Sequence, residues 1–289
     1  MMFLLARHEP PWYTKQMRTT PLIAMILLTI FSASLATQAT GQDSPRSDVL
    51  NAEHPEVIDL STTIDGQVYP CVVIINKAAK RGGPAILFLH GYGECGTDNQ
   101  RQTTVGLPKH AMTNPDQWPF VLIVPQKPIH NSEWETHELA VLHFLDEAAE
   151  QGLYDPGKLA ITGLSQGGHG TMMLAQAHPD RFVAAAPICG YLRPVFTKSR
   201  ERIDHPEPNK ETPDFIAAAE KLKAIPTWLW HGDADSVVPC ADSRALHEVL
   251  KTLNADTRYT ELPGVNHNAW DPAYTSTDLS EWFSSHLTD

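Results

Sequence analysis

Short, uninterrupted apolar runs alternate along this chain with longer stretches whose apolar positions recur at helical spacing. Residues 68–75, 85–89, 121–125, 159–162, 183–188, 228–230 and 258–262 read as strands. Residues 134–150 have a helical rhythm, with Leu139, Leu142, Phe144 and Leu145 on the apolar side and Asp146, Glu147 and Glu150 largely opposite. Further helices are expected over 166–177, 215–222, 241–253 and 279–287. A parallel sheet covered on both faces requires such continuous runs, because each strand then buries both rows of its side chains. The pattern predicts one α/β domain over residues 65–289, with a mostly parallel central sheet, helices on both faces and no internal repeat.

The N-terminal 64 residues read differently. Arg7, Lys15 and Arg18 precede an apolar stretch over 22–36, followed by Thr37, Gln38 and Ala39. This is the pattern of a secretory signal peptide, with cleavage expected after Ala36 or Ala39 and Met17 as a second candidate start. The alternative for residues 1–39 is an uncleaved anchor, although the run falls short of the roughly 20 apolar residues of a membrane span. Residues 40–64 are expected to be a linker and lead-in, with Gly41, Ser44, Pro45, Ser47 and Pro55 marking its polar part. The mature protein is then expected in the periplasm or outside the cell, without stable membrane association.

Composition narrows the partners. With 42% hydrophobic and 19% charged residues among 289, the chain is neither disordered nor fibrous. Its 22 Lys and Arg against 34 Asp and Glu leave a net charge of -12, which argues against nucleic acid, whose phosphates need clustered cations. Cys71, Cys95, Cys189 and Cys240 lack the close pairing of a zinc or redox site. Pairing of Cys71 or Cys95 with another cysteine stays open. No cofactor or metal is expected.

The chemistry concentrates at Gly163-Leu164-Ser165-Gln166-Gly167, between a predicted strand and a predicted helix. A nucleophilic serine on a strained strand-to-helix turn needs small residues at its flanks and gains free backbone N–H groups from the helix start. Its hydroxyl needs a histidine to take the proton and an acid to orient that histidine, in the chain order Ser, acid, His. His231-Gly232-Asp233-Ala234-Asp235 and Val265-Asn266-His267-Asn268 follow predicted strands, where open α/β sheets carry their chemistry. Asp235 is the first choice of acid, Asp233 the second, and His267 is the base. Two N–H donors must meet the developing oxyanion. Gln166 and Tyr92, the latter in the loop His90-Gly91-Tyr92-Gly93-Glu94-Cys95-Gly96, are the candidates. His90 is expected to brace that loop. A metal reading of His231, Asp233, Asp235 and His267 is the lesser alternative.

These motifs, with Val121 to Gln126, Trp134, His169-Gly170-Thr171, Pro187-Ile188-Cys189-Gly190 and His267-Asn268-Ala269-Trp270-Asp271, resemble the α/β-hydrolase esterases over roughly residues 65 to 288. The nearer likeness is to the bacterial branch of dienelactone-hydrolase-like, phospholipase/carboxylesterase-like and predicted peptidase proteins, close to polyhydroxybutyrate depolymerases and feruloyl or acetylxylan esterases. The resemblance implies Ser165 as nucleophile, Asp235 as acid, His267 as base, and Tyr92 and Gln166 as oxyanion donors of a carboxylic ester hydrolase. Where that branch commonly carries Arg, this chain has Cys95, and Ser165 stands where dienelactone hydrolases proper use Cys.

Trp134, Tyr191 and Trp270 are candidate walls of a substrate pocket. Residues 192–213, polar and long for an α/β connection, are a candidate lid or rim. Net acidity favours neutral esters, small aryl, short-acyl or carbohydrate-borne, over anionic polymers and phospholipid surfaces. A serine peptidase of the same fold is the alternative, and a noncatalytic binding protein the more remote one.

Overall fold

The apolar runs become the interior of one sheet because successive side chains of a strand point to opposite faces. The structure, a computed structural model, describes residues 55–197 and 199–288. Its strands are β1 (Glu56–Ile64), β2 (Gln67–Ile75), β3 (Gly83–Leu89), β4 (Val121–Pro125), β5 (Tyr154–Leu164), β6 (Ala184–Ile188), β7 (Thr227–Gly232) and β8 (Thr257–Leu262). They lie in the order β1-β2-β4-β3-β5-β6-β7-β8. The pairs β1 with β2 and β2 with β4 are antiparallel, and all others are parallel. The expected α/β class, mostly parallel with helices on both faces, is therefore the observed one. The signal-peptide expectation for 1–39 and the linker up to residue 54 lie outside the described residues.

Among the described residues the α-helices are α1 (Gly106–Thr113), α2 (Glu138–Glu150), α3 (Gln166–Ala177), α4 (Pro213–Leu222), α5 (Ala241–Thr252), α6 (Trp270–Thr275) and α7 (Thr277–Leu287). On one face Val73, Leu87, Ile123 and Ile161 pack with Phe144 of α2, Leu174 of α3, Phe215 of α4 and Leu246 of α5. On the other, Val72, Ile86, Leu122 and Ala160 pack with Leu107 of α1 and Leu279 and Phe283 of α7. Adjacent strand residues thus feed opposite cores, which is why these strands show no polar alternation.

Three details differ from the sequence reading. The lead-in segment contains β1, a nine-residue edge strand in which Leu60 alone is buried. Its mixture of Asp, Ser and Thr with scattered apolar residues hid it. The missed signal is Asp65-Gly66, a two-residue hairpin loop whose φ angles of 52° and 79° suit the strand twist. Second, residues 134–137 form a 3-10 turn, and α2 buries Ala140, Val141, Phe144, Leu145 and Ala148. Phe144, Leu145 and the half-buried Leu142 face the core as expected, and Leu139 departs from the expected face, being 67% exposed. Third, the short helices α1 and α6 were not anticipated; Pro108 and Pro272 interrupt both patterns.

Parallel strands end at one edge of the sheet, and this places the site. The segments after β3, β4, β5, β6, β7 and β8 carry Tyr92, Lys127, Ser165, Tyr191, Asp235 and His267 respectively.

Candidate active site

Ser165 occupies the single residue between β5 and α3 with φ 55° and ψ -116°. A side-chain-bearing residue pays strain in this left-handed region, of order 1–3 kcal/mol, and persists there only when its surroundings hold it. The turn is held from both sides. The Ser165 N–H donates to the Ile188 carbonyl at the end of β6, and the Ser165 carbonyl accepts from the His169 N–H at 3.0 Å. A Cβ on Gly167 would fall onto the Leu89 carbonyl oxygen, so only glycine lets α3 start this close to β3.

The Ser165 hydroxyl donates to His267 Nε2 at 2.9 Å, and His267 Nδ1–H donates to Asp235 Oδ2 at 2.7 Å. The other carboxylate oxygen of Asp235 accepts the backbone N–H groups of Val237 and Val238 at 2.8 and 2.9 Å. The Asp235 side chain is fully buried and that of His267 is 19% exposed. Burial by itself raises the Asp235 pKa, but His231, His267 and the Val238 N–H outweigh it and hold the carboxyl well below the usual carboxylate range. His231, buried near the end of β7, has Nε2 3.3 Å from Asp235 Oδ2 and 2.9 Å from the Val238 carbonyl. Its Nδ1 accepts from the Ser243 hydroxyl at 2.8 Å.

Asp233, the second-choice acid, turns away and accepts the Gly264 N–H at 2.7 Å. With both histidines directed at Asp235 and Asp233 closing a turn, the four residues of the metal alternative do not converge. Asn266 ties the two loops together, its side-chain oxygen accepting the N–H groups of Ser236 and His267 at 2.9 and 2.8 Å.

The backbone N–H of Gln166 opens α3, where it has no intrahelical acceptor. Tyr92, in the loop after β3, and Gln166 line one cavity of about 660 Å³ together with Ser165 and His267. His90 braces that loop. Its Nε2 accepts the Lys127 N–H at 3.0 Å, so Nδ1 carries the proton and donates to the Gly91 carbonyl at 2.6 Å. Burial, with the nearby Lys127 charge, pushes the ring down to about 3, so it is neutral near pH 7.

Tyr191 and Trp270 line the cavity, as expected. The Tyr191 hydroxyl donates to the Glu133 carboxylate at 2.9 Å, and its ring stacks on His169 at 4.6 Å. Trp270 meets the His267 ring edge-on at 5.5 Å. Trp134 does not belong with them. It is 1% exposed, lies against Gly170 and donates its indole N–H to the His90 carbonyl at 3.1 Å. Its place is the core beneath the loop, because the 3-10 turn over 134–137 directs the ring inward.

The long segment after β6 supplies Pro194, Phe196, Thr197 and Arg200 to the cavity wall. A bridge between Phe196 and Arg202 folds it back on itself, and the Arg200 guanidinium sits 4.1 Å from the Tyr92 ring centre. Glu94, Glu133 and Glu135 also line the cavity. The four cysteines are free and buried. Cys95, at the position where the resembled branch carries Arg, has its sulfur 3.2 Å from the Lys127 ammonium nitrogen.

Sequence reasoning missed His231 and Lys127 as members of this assembly. His231 lay in a motif already singled out. Lys127 carried a signal that went unused, a lysine two residues past a buried strand at the sheet edge where α/β chemistry gathers.

The sheet, the elbow at Ser165 and the order Ser, Asp, His define the α/β-hydrolase class. Residues 131–289 match the prolyl oligopeptidase family, and the chain belongs to it. A solved thermostable esterase is 28% identical, with a TM-score of 0.63 over 79% of this chain and 62% of its own. An uncharacterized secreted protein of Arthroderma benhamiae is 25% identical over 249 residues, 75% of this chain and 25% of that protein. Acyl-protein thioesterase 1 of Neurospora crassa is 30% identical over 112 residues, 39% of this chain and 40% of its own. This chain therefore spans a quarter of the first of these curated relatives and less than two thirds of the solved esterase. The resemblance to α/β-hydrolase esterases holds.

Proposed function

We propose that this chain is an exported serine hydrolase that cleaves carboxylic esters through an acyl-enzyme on Ser165. The observation that carries this reading is the hydrogen-bonded chain from Ser165 through His267 to Asp235. Ser165 Oγ attacks the ester carbonyl carbon while its proton passes to His267 Nε2. The carbonyl oxygen takes up the negative charge and is met by the N–H groups of Tyr92 and Gln166. Collapse breaks the bond to the alcohol, which leaves with the proton from His267. Water then repeats the sequence, giving its proton to His267, displacing Ser165 and releasing the acid. Asp235 stays ionised, keeps the proton of the resting ring on Nδ1 and stabilises the imidazolium.

The cavity bounds the substrate. Tyr92, Tyr191, Phe196 and Trp270 give it aromatic walls, which suit a small aryl, short acyl or carbohydrate-borne ester. Glu94, Glu133 and Glu135 repel anionic substrates. Export is supported by the N-terminal sequence pattern and by the relative described as secreted. Membership of the prolyl oligopeptidase family favours a second reading, peptide hydrolysis by the same three residues.

The deciding experiment compares wild type with Ser165→Ala on nitrophenyl acyl esters of increasing length, methyl ferulate, acetylated xylan and an aminoacyl nitroanilide, ranked by kcat/KM. Ester turnover that disappears in the variant is the expected result. Turnover of the anilide alone moves the assignment to a peptidase, and ester turnover surviving in the variant overturns it.

A further inference from the structure

We propose that Lys127 is a positioning residue of the oxyanion site, a buried cation that holds Gln166 and the Tyr92-bearing loop and adds positive potential where the oxyanion forms. This rests on the reading of Ser165 as the acylated nucleophile. Lys127 follows β4 and is 0% exposed. Its Nζ donates to Gln166 Oε1 at 2.7 Å, to the Ile129 carbonyl at 2.9 Å and to Cys95 Sγ at 3.2 Å. Three acceptors match the three N–H bonds of an ammonium, and a neutral amine has only two. Burial pulls the pKa of this group down, with Cys95, Glu133 and Glu135 acting in the other direction.

Two of these contacts lead to the two donors, those to Gln166 and to Cys95. Gln166 supplies its backbone N–H to the site, and its side chain is fixed at both ends, by Lys127 on the oxygen and by the Ser132 carbonyl at 3.1 Å on the nitrogen. Gln166 thereby has no freedom to shift the first N–H of α3. The second route runs through Cys95, whose thiol lies 3.9 Å from the Gly91 carbonyl oxygen. That carbonyl and the Tyr92 N–H belong to one planar peptide and point in opposite directions, so fixing the carbonyl aims the N–H. The Lys127 backbone acts on the same peptide through His90.

A neutral side chain of similar length would fill the space without taking a charge out of water. The ammonium is one hydrogen-bonded side chain from the Gln166 N–H, in surroundings where a fixed charge acts with little screening. It meets the oxyanion only through these groups, so its effect belongs to the transition state rather than to substrate binding.

The test is steady-state hydrolysis of a nitrophenyl acyl ester by wild type, Lys127→Met, Lys127→Arg and Ser165→Ala, together with inhibition by an alkyl boronic acid, which mimics the tetrahedral adduct on serine. In Lys127→Met, kcat is expected to fall about 10- to 100-fold at nearly constant KM, and the boronic acid to bind weaker by a similar factor. Lys127→Arg, which keeps the cation, is expected to recover most of that loss. Wild-type kcat and boronate affinity in folded Lys127→Met, or a loss appearing only in KM, overturns the assignment. Should Lys127→Met fail to fold, Lys127→Arg decides: kcat within about threefold of wild type upholds the role of the charge, and a fall of about 100-fold rejects it. Ester turnover that survives in Ser165→Ala, or is missing from wild type, sinks the acyl-enzyme reading itself. Failure of the Lys127 assignment alone leaves Ser165→Ala inactive and wild type active.

Discussion

His231, on strand β7, and His267, in the loop after β8, approach the same carboxylate oxygen of Asp235, at 3.3 and 2.7 Å. With the N–H groups of Val237 and Val238 on the other oxygen, the acid is fully enclosed by donors. Such a carboxylate is ionised throughout the neutral range and cannot turn away from His267. The arrangement makes the Asp235 charge, rather than its shape, the quantity to perturb.

Asp235→Asn preserves the shape and removes the charge. We expect kcat to fall by about 10³- to 10⁴-fold with KM changed little, because His267 loses the partner that fixes its tautomer and stabilises its cation. A fall below about tenfold on any ester turned over by the wild type would contradict the role.

The same carboxyl predicts a pH dependence of stability. Its folded pKa is depressed, so its contribution is present above the unfolded value of about 3.9 and is lost as pH falls through the folded value. Through this carboxyl, the unfolding free-energy gap between wild type and Asp235→Asn should therefore shrink below about pH 4. Urea denaturation at a series of pH values measures it, and a gap that closes above pH 5 would refute the depressed pKa.

His231→Phe should keep the volume while withdrawing one donor from Asp235 and leaving the Val238 carbonyl and the Ser243 hydroxyl without this partner. A loss of about 2–3 kcal/mol is expected, together with a fall in kcat of about tenfold at unchanged KM. Equal thermal midpoints for variant and wild type would show that the buried ring is dispensable.

Two glycines separate close approach from backbone conformation. Gly66→Ala meets open space but must adopt φ 79°, a cost of about 1 kcal/mol. Gly167→Ala drives a methyl into the Leu89 backbone, and a loss above about 3 kcal/mol with little soluble protein is expected. Calorimetry that ranks the two the other way would contradict the packing of α3 against β3.

Trp134 and Trp270 should part company on substitution. Trp134→Ala empties a core site and should cost about 3–5 kcal/mol of stability. Trp270→Ala, at the cavity wall, should act mainly on KM for aryl esters, by about 3- to 30-fold. Thermal melts and aryl-ester kinetics on both variants check this. A Trp134 variant that melts like wild type but binds aryl esters poorly would restore Trp134 to the pocket.

What the sequence alone determined is the local chemistry of the chain. Apolar runs buried on both faces announced the parallel strands, and Gly163-Leu164-Ser165-Gln166-Gly167 announced the turn, because both are short-range consequences of side-chain period and steric size. The chain order of Ser165, Asp235 and His267 was legible for the same reason, since each follows a strand end. The tertiary structure decided which carboxylate faces His267. Asp233 and Asp235 are two residues apart and alike in kind, and only the closing of the Gly264 turn onto Asp233 separates them. It also decided the inward turn of Trp134, the exposure of Leu139 and the inclusion of β1, all set by packing partners far along the chain. Lys127 is the clearest case. Nothing in a single lysine after a strand tells that Gln166 and Cys95 will converge on it, because three distant segments meet there only once the sheet has brought its strand ends to one edge.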